Sequence, residues 1–258
     1  MSFFHALILG VVEGLTEFLP VSSTAHLILA TKVLGLQQTD FSKSFDITIQ
    51  VGAILAVVFL YWKEFLVDSK VLKRVFTAFV PTAIVGGIFY KIIKRFFLGN
   101  ESLVLWMLLG GGIFLILFEL FYKEKEDAVQ QVDDISYGQC LMIGLFQAIA
   151  IVPGVSRSAA TIIGGLFLGI KRKTIVEFSF LLAVPTMLAA SGLDLLKNAH
   201  AFSSGQFAFL GVGFLTSFLV AIIAIKSLLL FIKRHNFILF GIYRVLVVLF
   251  FFFLFKKK

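Results

Sequence analysis

Long segments without charged side chains constrain this chain more than any other feature of its sequence. Residues 198–225 contain no Asp, Glu, Lys or Arg, and shorter charge-free segments recur along the chain. Hydrophobic residues make up 59% of the sequence and charged residues 15%, whereas soluble domains average about 25% charged residues. Because a membrane-spanning helix needs about 20 mostly apolar residues, the sequence predicts an all-α integral membrane protein.

Six segments are apolar enough to cross a bilayer as full spans when each is trimmed at its first charge. They are 47–62, 75–90, 102–118, 178–193, a segment within 198–225, and 237–255, which Arg244 interrupts. The formal net charge is +8, but most basic residues lie between or at the ends of these segments. This placement favours lipid headgroups over nucleic acid as their surroundings.

Two further apolar regions are each interrupted near the middle by a proline and a cluster of hydroxyl residues. Residues 3–34 contain Pro20, and residues 135–170 contain Pro153. Proline removes a backbone donor and disfavours helix at the residue before it, so each region is predicted to form two half-helices joined by a bend. Arms of roughly 12–18 residues are too short for the ~30 Å hydrocarbon core, which favours re-entrant hairpins over two kinked full spans.

The two interrupted regions resemble each other. When Ser22 is placed on Ser156, further positions match: Gly10 falls on Gly144, Glu13 on Gln147, Ser23 on Arg157 and Thr24 on Ser158. The spans that follow also share a motif, FVPTA at 79–83 and AVPTM at 183–187. Each half then holds one hairpin and three spans, and an odd number of spans inverts the second half.

The predicted organisation is a single membrane domain over residues 1–258. It consists of inverted repeats 1–122 and 135–258, joined by the polar linker 123–134. In such a repeat the two hairpin tips enter from opposite faces and meet near the midplane of the membrane. Functional residues are therefore expected at the tips.

Ionisable side chains inside apolar segments cost ~2.5–3.5 kcal/mol each on insertion scales, so they mark functional sites by default. Four such residues lie in the hairpin regions: Glu13, Glu17, His26 and Arg157. Glu13 and Glu17 are four residues apart and share one helix face. A buried ion network of the two carboxylates with Arg157 is the structural alternative.

Hydroxyl residues stand where the second arm of each hairpin begins. They are Ser22, Ser23 and Thr24 in the first hairpin, and Ser156 and Ser158 in the second. Such residues favour helix N-termini, and two N-termini directed at one cavity offer N–H groups and positive dipole ends to an anion. Arg157 adds a planar, charged fork suited to phosphate or carboxylate.

Two carboxylates beside an anion site require either a cation between them or a protonated carboxyl group. A divalent cation, Mg²⁺ or Ca²⁺, bridging Glu13, Glu17 and phosphate oxygens meets this requirement. With the arginine, hydroxyls and histidine, this set fits phosphoryl hydrolysis better than binding alone. Gln50, an isolated amide in a predicted span, is either a substrate contact or a hydrogen-bonding group between helices.

Three motifs resemble the undecaprenyl-diphosphate phosphatase family, also called the bacitracin resistance protein family. They are EGLTEFLPVSSTAH at 13–26, FDITIQVGAILAVV at 45–58 and PGVSRSAATI at 153–162. The resemblance covers the whole chain, and the first and third motifs are long and specific. Carried over by position, the family's acidic motif falls on Glu13 and Glu17, its hydroxyl and histidine motif on Ser22, Ser23, Thr24 and His26, and its arginine motif on Ser156, Arg157, Ser158 and Thr161.

Two positions depart from the pattern of that family. Ala25 and Ala159 stand where the family usually has glycine. A methyl group limits positive φ and close backbone approach, so these two positions bear on the tightness of both bends, and activity is expected to be retained.

The resemblance implies a multi-pass enzyme of the bacterial plasma membrane, dependent on a divalent metal and commonly dimeric. Its reaction would convert undecaprenyl diphosphate to undecaprenyl phosphate and inorganic phosphate, recycling the lipid carrier for peptidoglycan synthesis and conferring bacitracin resistance. Resemblance to the type-2 phosphatidic acid phosphatases is disfavoured, because the chain has neither an Arg-Pro dipeptide nor a PSGH sequence.

In the predicted mechanism Arg157 and the half-helix N–H groups clamp the diphosphate while Glu13 and Glu17 hold the metal. Ser23, or a water held by the same hydroxyls, attacks the terminal phosphorus, and His26 transfers the proton. The alternative is a polyprenyl-phosphate transporter or flippase, since inverted repeats with broken helices also occur in secondary transporters. It predicts binding of the lipid without release of phosphate.

Overall fold

A computed structural model describes residues 1–37, 39–96, 100–198 and 206–255, which are folded almost entirely into helices. The described residues form eleven α-helices: α1 (Phe3–Thr16), α2 (Ser23–Val33), α3 (Asp40–Leu60), α4 (Trp62–Leu66), α5 (Ser69–Phe96), α6 (Glu101–Phe121), α7 (Tyr137–Ile149), α8 (Arg157–Phe167), α9 (Arg172–Asn198), α10 (Phe207–Phe231) and α11 (Ile238–Phe255). Outside the helices, one isolated parallel bridge joins Val129 of the polar linker to Ile170.

Five of these helices are long and apolar enough to cross a membrane: α3, α5, α6, α9 and α10. They confirm the prediction of an all-helical, multi-pass membrane protein. The sixth predicted span corresponds to α11, which has 18 residues and is shorter than the other five. Residues 199–205 of the predicted fifth span lie outside the described residues.

Both interrupted regions fold as two short helices with a bend at the proline. In the first region α1 has 14 residues and α2 has 11, and in the second α7 has 13 and α8 has 11. At 1.5 Å per residue each arm is about 21 Å long or less, which is short of the ~30 Å hydrocarbon core. The prediction of paired half-helices is confirmed.

The two halves pack against each other in a matching pattern. Helix α1 packs on α10, and its counterpart α7 packs on α5. Gly10 makes this approach possible, because a Cβ atom there would lie 2.8 Å from the carbonyl oxygen of Gly213. Gly144 occupies the equivalent place, where a Cβ atom would lie 3.0 Å from Cδ of Pro81. These contacts agree with the alignment that places Gly10 on Gly144.

The shared VPT motif does not occupy equivalent positions in the two predicted repeats. It lies on α5, the second span of its half, and on α9, the first span of its half, so the two copies do not occupy corresponding helices. Their threonines instead bind one amide: Nε2 of Gln147 donates to Oγ1 of Thr82 at 2.8 Å and to Oγ1 of Thr186 at 3.0 Å. The motif therefore places two hydroxyls around Gln147.

Candidate active site

The bends of the two interrupted regions contact each other, and their entry from opposite faces of the membrane remains a prediction. The hydroxyl of Ser158 donates to the backbone carbonyl of Phe18 at 2.8 Å, and Nη2 of Arg157 lies 2.9 Å from Oε1 of Glu17. The Arg157 guanidinium also lies over the ring of Phe18, 5.7 Å from its centroid. These contacts join residues about 140 positions apart in the sequence, so the site exists only when both halves are folded.

Two serines carry the strained backbone at the tips. Ser22 has φ 72° and Ser156 has φ 27°, and among the described residues they are the non-glycine positions with positive φ. They are also the two residues that the repeat alignment superimposes. Such conformations persist only where the surroundings enforce them, and they concentrate at functional sites.

The alanine departures do not affect these bends. Ala25 lies in α2 and Ala159 in α8, both past the positive-φ residue and both buried in regular helix. The backbone amide of Ala159 donates to Oγ of Ser156 at 3.2 Å, which caps α8. Neither alanine has a positive φ, so the restriction that a methyl group places on positive φ does not apply at these two positions.

Glu17 connects a hydroxyl to a guanidinium. Its Oε2 accepts a hydrogen bond from Oγ of Ser23 at 2.5 Å, and its Oε1 pairs with Arg157. The Glu17 side chain is 6% exposed and that of Arg157 is 12% exposed, so water screens the pair little. This geometry places a carboxylate where it can take a proton from a serine hydroxyl.

Helix α9 fixes the other edge of Arg157. Nη1 of Arg157 donates to the backbone carbonyl of Ser179 at 2.9 Å and lies 3.4 Å from its Oγ. The Ser179 hydroxyl in turn lies 2.6 Å from Oγ1 of Thr161. Nε of Arg157 is buried and has no hydrogen-bond partner among the described residues. The guanidinium is thus held on two sides and retains a free donor.

A cavity of about 240 Å³ opens where the tips meet. The predicted residues on its wall are Glu17, Ser22, Ser23, Thr24, Gln50, Ser156 and Arg157. Ala150, residues 152–155 and three α9 residues, Met187, Ala190 and Ser191, complete the wall. One arginine, several hydroxyls and one carboxylate on a single wall can bind and polarise a phosphate group.

Four predicted site residues lie away from this wall. Ser158 and Thr161 are fully buried, and their hydroxyls bond to backbone and to Ser179 within the fold. Glu13 lies on α1, four residues before Glu17, and is fully buried. The roles predicted for these three residues in substrate or metal binding remain predictions.

His26, the fourth of these residues, uses both ring nitrogens within the protein. Nδ1 lies 2.8 Å from the carbonyl oxygen of Ser22, and Nε2 lies 2.9 Å from the hydroxyl of Tyr243. Because a carbonyl can only accept, Nδ1 carries a hydrogen, and in the neutral imidazole Nε2 then accepts from the hydroxyl of Tyr243. The nearest base to the Ser23 hydroxyl in the structure is thus Glu17, and proton transfer by His26 remains a prediction.

The residues present fit a divalent cation, although the described residues contain no group of three or more His, Cys, Asp or Glu side chains that could hold a metal. Both carboxylate oxygens of Glu13 are buried without a hydrogen-bond partner. An unpaired buried carboxylate is costly, and either a bound cation or protonation of the carboxyl group would remove that cost. Mg²⁺ is commonly held by one or two carboxylates together with substrate phosphates, which is the set that Glu13 and Glu17 could offer.

Sequence reasoning missed Ser179 and Ser191 on α9 and Tyr243 on α11. Ser179 fixes Arg157, Ser191 lies on the cavity wall, and Tyr243 contacts His26. Each is a polar group inside an apolar helix, which is the one signal that could have identified them. Single hydroxyls are common in membrane helices, so this signal does not separate functional groups from structural ones.

Comparison with known proteins gives a consistent result. Residues 6–250 match the family described as bacitracin resistance protein BacA. The chain is 52% identical over 247 residues to the undecaprenyl-diphosphatase of Sulfurihydrogenibium sp., covering 96% of this chain and 97% of the relative. It is 49% identical over 253 residues to that of Wolinella succinogenes, covering 98% of each chain, and 48% identical over 247 residues to that of Aquifex aeolicus, covering 96% of each.

Proposed function

The chain belongs to the bacitracin resistance protein family, and we propose that it hydrolyses undecaprenyl diphosphate to undecaprenyl phosphate and inorganic phosphate. Relatives about half identical over nearly their whole length are undecaprenyl-diphosphatases. The observation that carries the proposal is a pair of hydrogen bonds where the two tips meet. Ser23 donates to one carboxylate oxygen of Glu17, and Arg157 donates to the other. This pair brings a hydroxyl, a carboxylate and a guanidinium together on one small cavity, which supports roles for them as nucleophile, base and phosphate-binding cation.

The first chemical step follows from these contacts. Arg157, which lies on the cavity wall and is aligned by Ser179 and Glu17, binds the terminal phosphate through its guanidinium. The Ser23 oxygen bonds to the terminal phosphorus, and its proton passes to Oε2 of Glu17. The bond from that phosphorus to the bridging oxygen breaks, and undecaprenyl phosphate leaves with the bridging oxygen.

Water completes the reaction in a second step. The oxygen of a water molecule bonds to the phosphorus of the phosphoserine, and one proton of that water passes to a phosphate oxygen. The bond from phosphorus to the Ser23 oxygen breaks, and the protonated Glu17 returns its proton to that oxygen, so that inorganic phosphate leaves and Ser23 and Glu17 are restored. A water held by the same hydroxyls, attacking the diphosphate directly, is the competing route, and it gives the same products. The two routes differ in whether a phosphoserine forms.

Glu13 and Glu17 would hold a divalent cation, Mg²⁺ or Ca²⁺, which when bound would offset the negative charge of the diphosphate. The unpartnered oxygens of Glu13 support this assignment. Gln50, Ser22, Thr24 and Ser156 face the same cavity and are proposed to bind phosphate oxygens. The same role is proposed for Ser158 and Thr161, which requires their hydroxyls to leave their present partners.

The proposed setting is the plasma membrane of a bacterium. The lipid tail would lie between spans facing the bilayer, with six spans and two re-entrant hairpins arranged as inverted repeats 1–122 and 135–258 around linker 123–134. The matching contacts of α1 with α10 and α7 with α5 support the repeat.

Recycling of the carrier would serve peptidoglycan synthesis and confer bacitracin resistance, and a homodimer is part of the proposal. Nothing in the comparisons favours a flippase.

The test is release of inorganic phosphate from undecaprenyl diphosphate by the purified protein in detergent supplemented with lipid. If the protein releases phosphate with Mg²⁺ or Ca²⁺, if EDTA abolishes this release, and if added metal restores it, both hydrolysis and the need for a metal are supported. Release that persists unchanged in EDTA would remove the metal from the proposal. A folded sample that binds the lipid and releases no phosphate would contradict the hydrolase and favour the flippase.

A further inference from the structure

Arg244 is a buried arginine without an acidic partner. It lies in the middle of α11 and is 1% exposed, and no carboxylate among the described residues is within ion-pair distance of it. Its guanidinium instead donates to three backbone carbonyls. Nε donates to Leu108 at 3.1 Å, and Nη2 donates to Met107 at 3.2 Å and to Gly154 at 3.1 Å. Burial of a charged arginine is costly, so a functional reason for its position is expected.

Glycines on helix α6 leave the space that the Arg244 side chain occupies. A Cβ atom at Gly111 would lie 2.8 Å from Cζ of Arg244, and one at Gly112 would lie 2.9 Å from Cβ of Arg244. A Cβ atom at the neighbouring Gly110 would meet nothing within 4 Å. Two of the three consecutive glycines in α6 therefore provide the space that Arg244 fills.

Gly154 is the part of the second hairpin that Arg244 holds. It has φ 96° and lies in the turn between α7 and α8, where the turn forms part of the cavity wall. Two residues later the chain reaches Ser156, which caps α8, and then Arg157. A shift of Gly154 would therefore move the start of α8 and the arginine that binds phosphate.

Tyr243, the residue before Arg244, holds the first hairpin. Its hydroxyl lies 2.9 Å from Nε2 of His26, and the two rings are stacked with centroids 5.4 Å apart and an interplanar angle of 7°. His26 in turn bonds to the carbonyl of Ser22, the positive-φ residue of the first tip. Adjacent residues on α11 thus reach the strained turns of both hairpins.

We propose that Tyr243 and Arg244 are positioning residues that hold the two tips in register, so that Ser23 and Arg157 face one phosphate group. This inference rests on the proposed function for its catalytic consequence, but its structural part stands without it. Ser23 comes directly after the turn that Tyr243 braces through His26, and Arg157 comes three residues after Gly154. Neither Tyr243 nor Arg244 lies on the cavity wall, so their effect on hydrolysis is indirect.

Gly111→Ala tests the proposal against a matched control, Gly110→Ala, one residue away on the same helix. The first substitution displaces the guanidinium, whereas the second enters open space. We expect Gly111→Ala to lower kcat roughly tenfold or more in the folded protein, with Gly110→Ala unchanged, because small misplacements of reacting groups are costly. Hydrogen exchange in the 150–156 turn, where Ile151, Val152 and Val155 amides are hydrogen-bonded, should accelerate in Gly111→Ala alone.

Two milder variants keep the proposal testable if Gly111→Ala fails to fold. Arg244→Lys retains the charge but has one terminal nitrogen in place of a fork, and Tyr243→Phe retains the stacking but loses the hydroxyl. We expect both to lower kcat with little change in KM or melting temperature, and Arg244→Lys to accelerate exchange at 150–156. A loss of melting temperature with unchanged kcat in the folded fraction would show a structural role only and overturn the proposal.

The measurements separate this inference from the proposed function. If wild-type protein releases no phosphate, hydrolysis fails, and hydrogen exchange alone decides whether Arg244 fixes the turn. If wild-type protein is active and exchange at 150–156 is the same in Gly111→Ala as in Gly110→Ala, the positioning role is wrong while hydrolysis stands.

Discussion

Ser23 is the residue on which the chemistry depends most directly. As the nucleophile, it should be essential, and Ser23→Ala should lower phosphate release by at least about a thousandfold, since loss of a nucleophile removes a whole step. If Ser23 only positions water, the loss should stay near tenfold. Ser69→Ala, at an exposed serine at the start of α5, is the control and should retain activity.

Trapping distinguishes the two routes independently of the rate. Rapid acid quenching during turnover of terminally labelled substrate should leave label on the wild-type protein at Ser23 and none on Ser23→Ala. If the quenched wild-type protein carries no label although it is hydrolysing substrate at its full rate, direct attack by water is favoured.

Glu17 binds both the nucleophile and the arginine, so its charge should matter more than its shape. Glu17→Gln keeps the size of the side chain but cannot accept the serine proton, and it leaves the Arg157 guanidinium without its anionic partner. We expect kcat to fall about a hundredfold or more, in the range of general base catalysis, with the protein still folded. Activity within a few-fold of wild type would exclude Glu17 as the base.

At the scale of helices, the close approach of α1 to α10 predicts a stability effect. A Cβ atom at Gly14 would lie 2.7 Å from the carbonyl oxygen of Ser217 and 3.0 Å from the amide nitrogen of Ala221. Gly14→Ala should therefore destabilise the fold by about 1–3 kcal/mol through overpacking. Gly211→Ala, an exposed position of α10 with nothing within 4 Å, should be neutral or slightly stabilising. Melting temperatures of the two variants in one detergent make the comparison, and equal values would contradict the packing.

Most helices could be predicted from the sequence because charge-free length is a strong signal. The predicted spans were trimmed at the first charge, whereas the helices continue past it: α3 begins at Asp40 and not at 47, started by a capping box between Thr39 and Ser42. Charged residues in a terminal turn can reach the headgroups, so they do not end a helix. The VPT motif was misassigned because a shared tripeptide does not show which helix pairs correspond.

The site was predictable only in part for a related reason. Spacing identified Glu17, Ser23 and Arg157, since polar residues at a proline bend are unusual in an apolar chain. Spacing does not give tertiary partners, so it could not show that His26 bonds to Tyr243 or that Ser179 aligns Arg157. Those contacts join residues far apart in the chain.

At the scale of the whole molecule, one buried ion pair joins elements distant in sequence. Arg172, at the start of α9, pairs with Glu119 near the end of α6, and Glu119 also accepts a hydrogen bond from the amide of Phe237 at 3.1 Å, just before α11. The Glu119 side chain is 1% exposed. Arg172→Ala would leave that carboxylate buried and unpaired, and it should cost about 3–5 kcal/mol.

Lys173→Ala is the control for this change, because its side chain is 67% exposed and its ion pair with Glu177 is long at 3.7 Å. It should shift the melting temperature little. If Arg172→Ala also unfolds at the wild-type temperature, the pair contributes nothing to holding α6, α9 and the start of α11 together.

The central claim is that the two halves of the molecule build one hydrolytic site where their tips meet, and Arg157 is its test. Phosphate release from undecaprenyl diphosphate should be measured side by side for wild-type protein, Arg157→Ala and Arg234→Ala, the last at an exposed arginine of the loop before α11. Arg157→Ala should lose at least about a hundredfold in kcat/KM while remaining folded. Among the described residues, Arg157 is the only lysine or arginine on the cavity wall, so the variant would lack the cationic side chain proposed to bind the phosphate. Arg234→Ala should match wild type. Equal phosphate release by wild type and folded Arg157→Ala would contradict the claim.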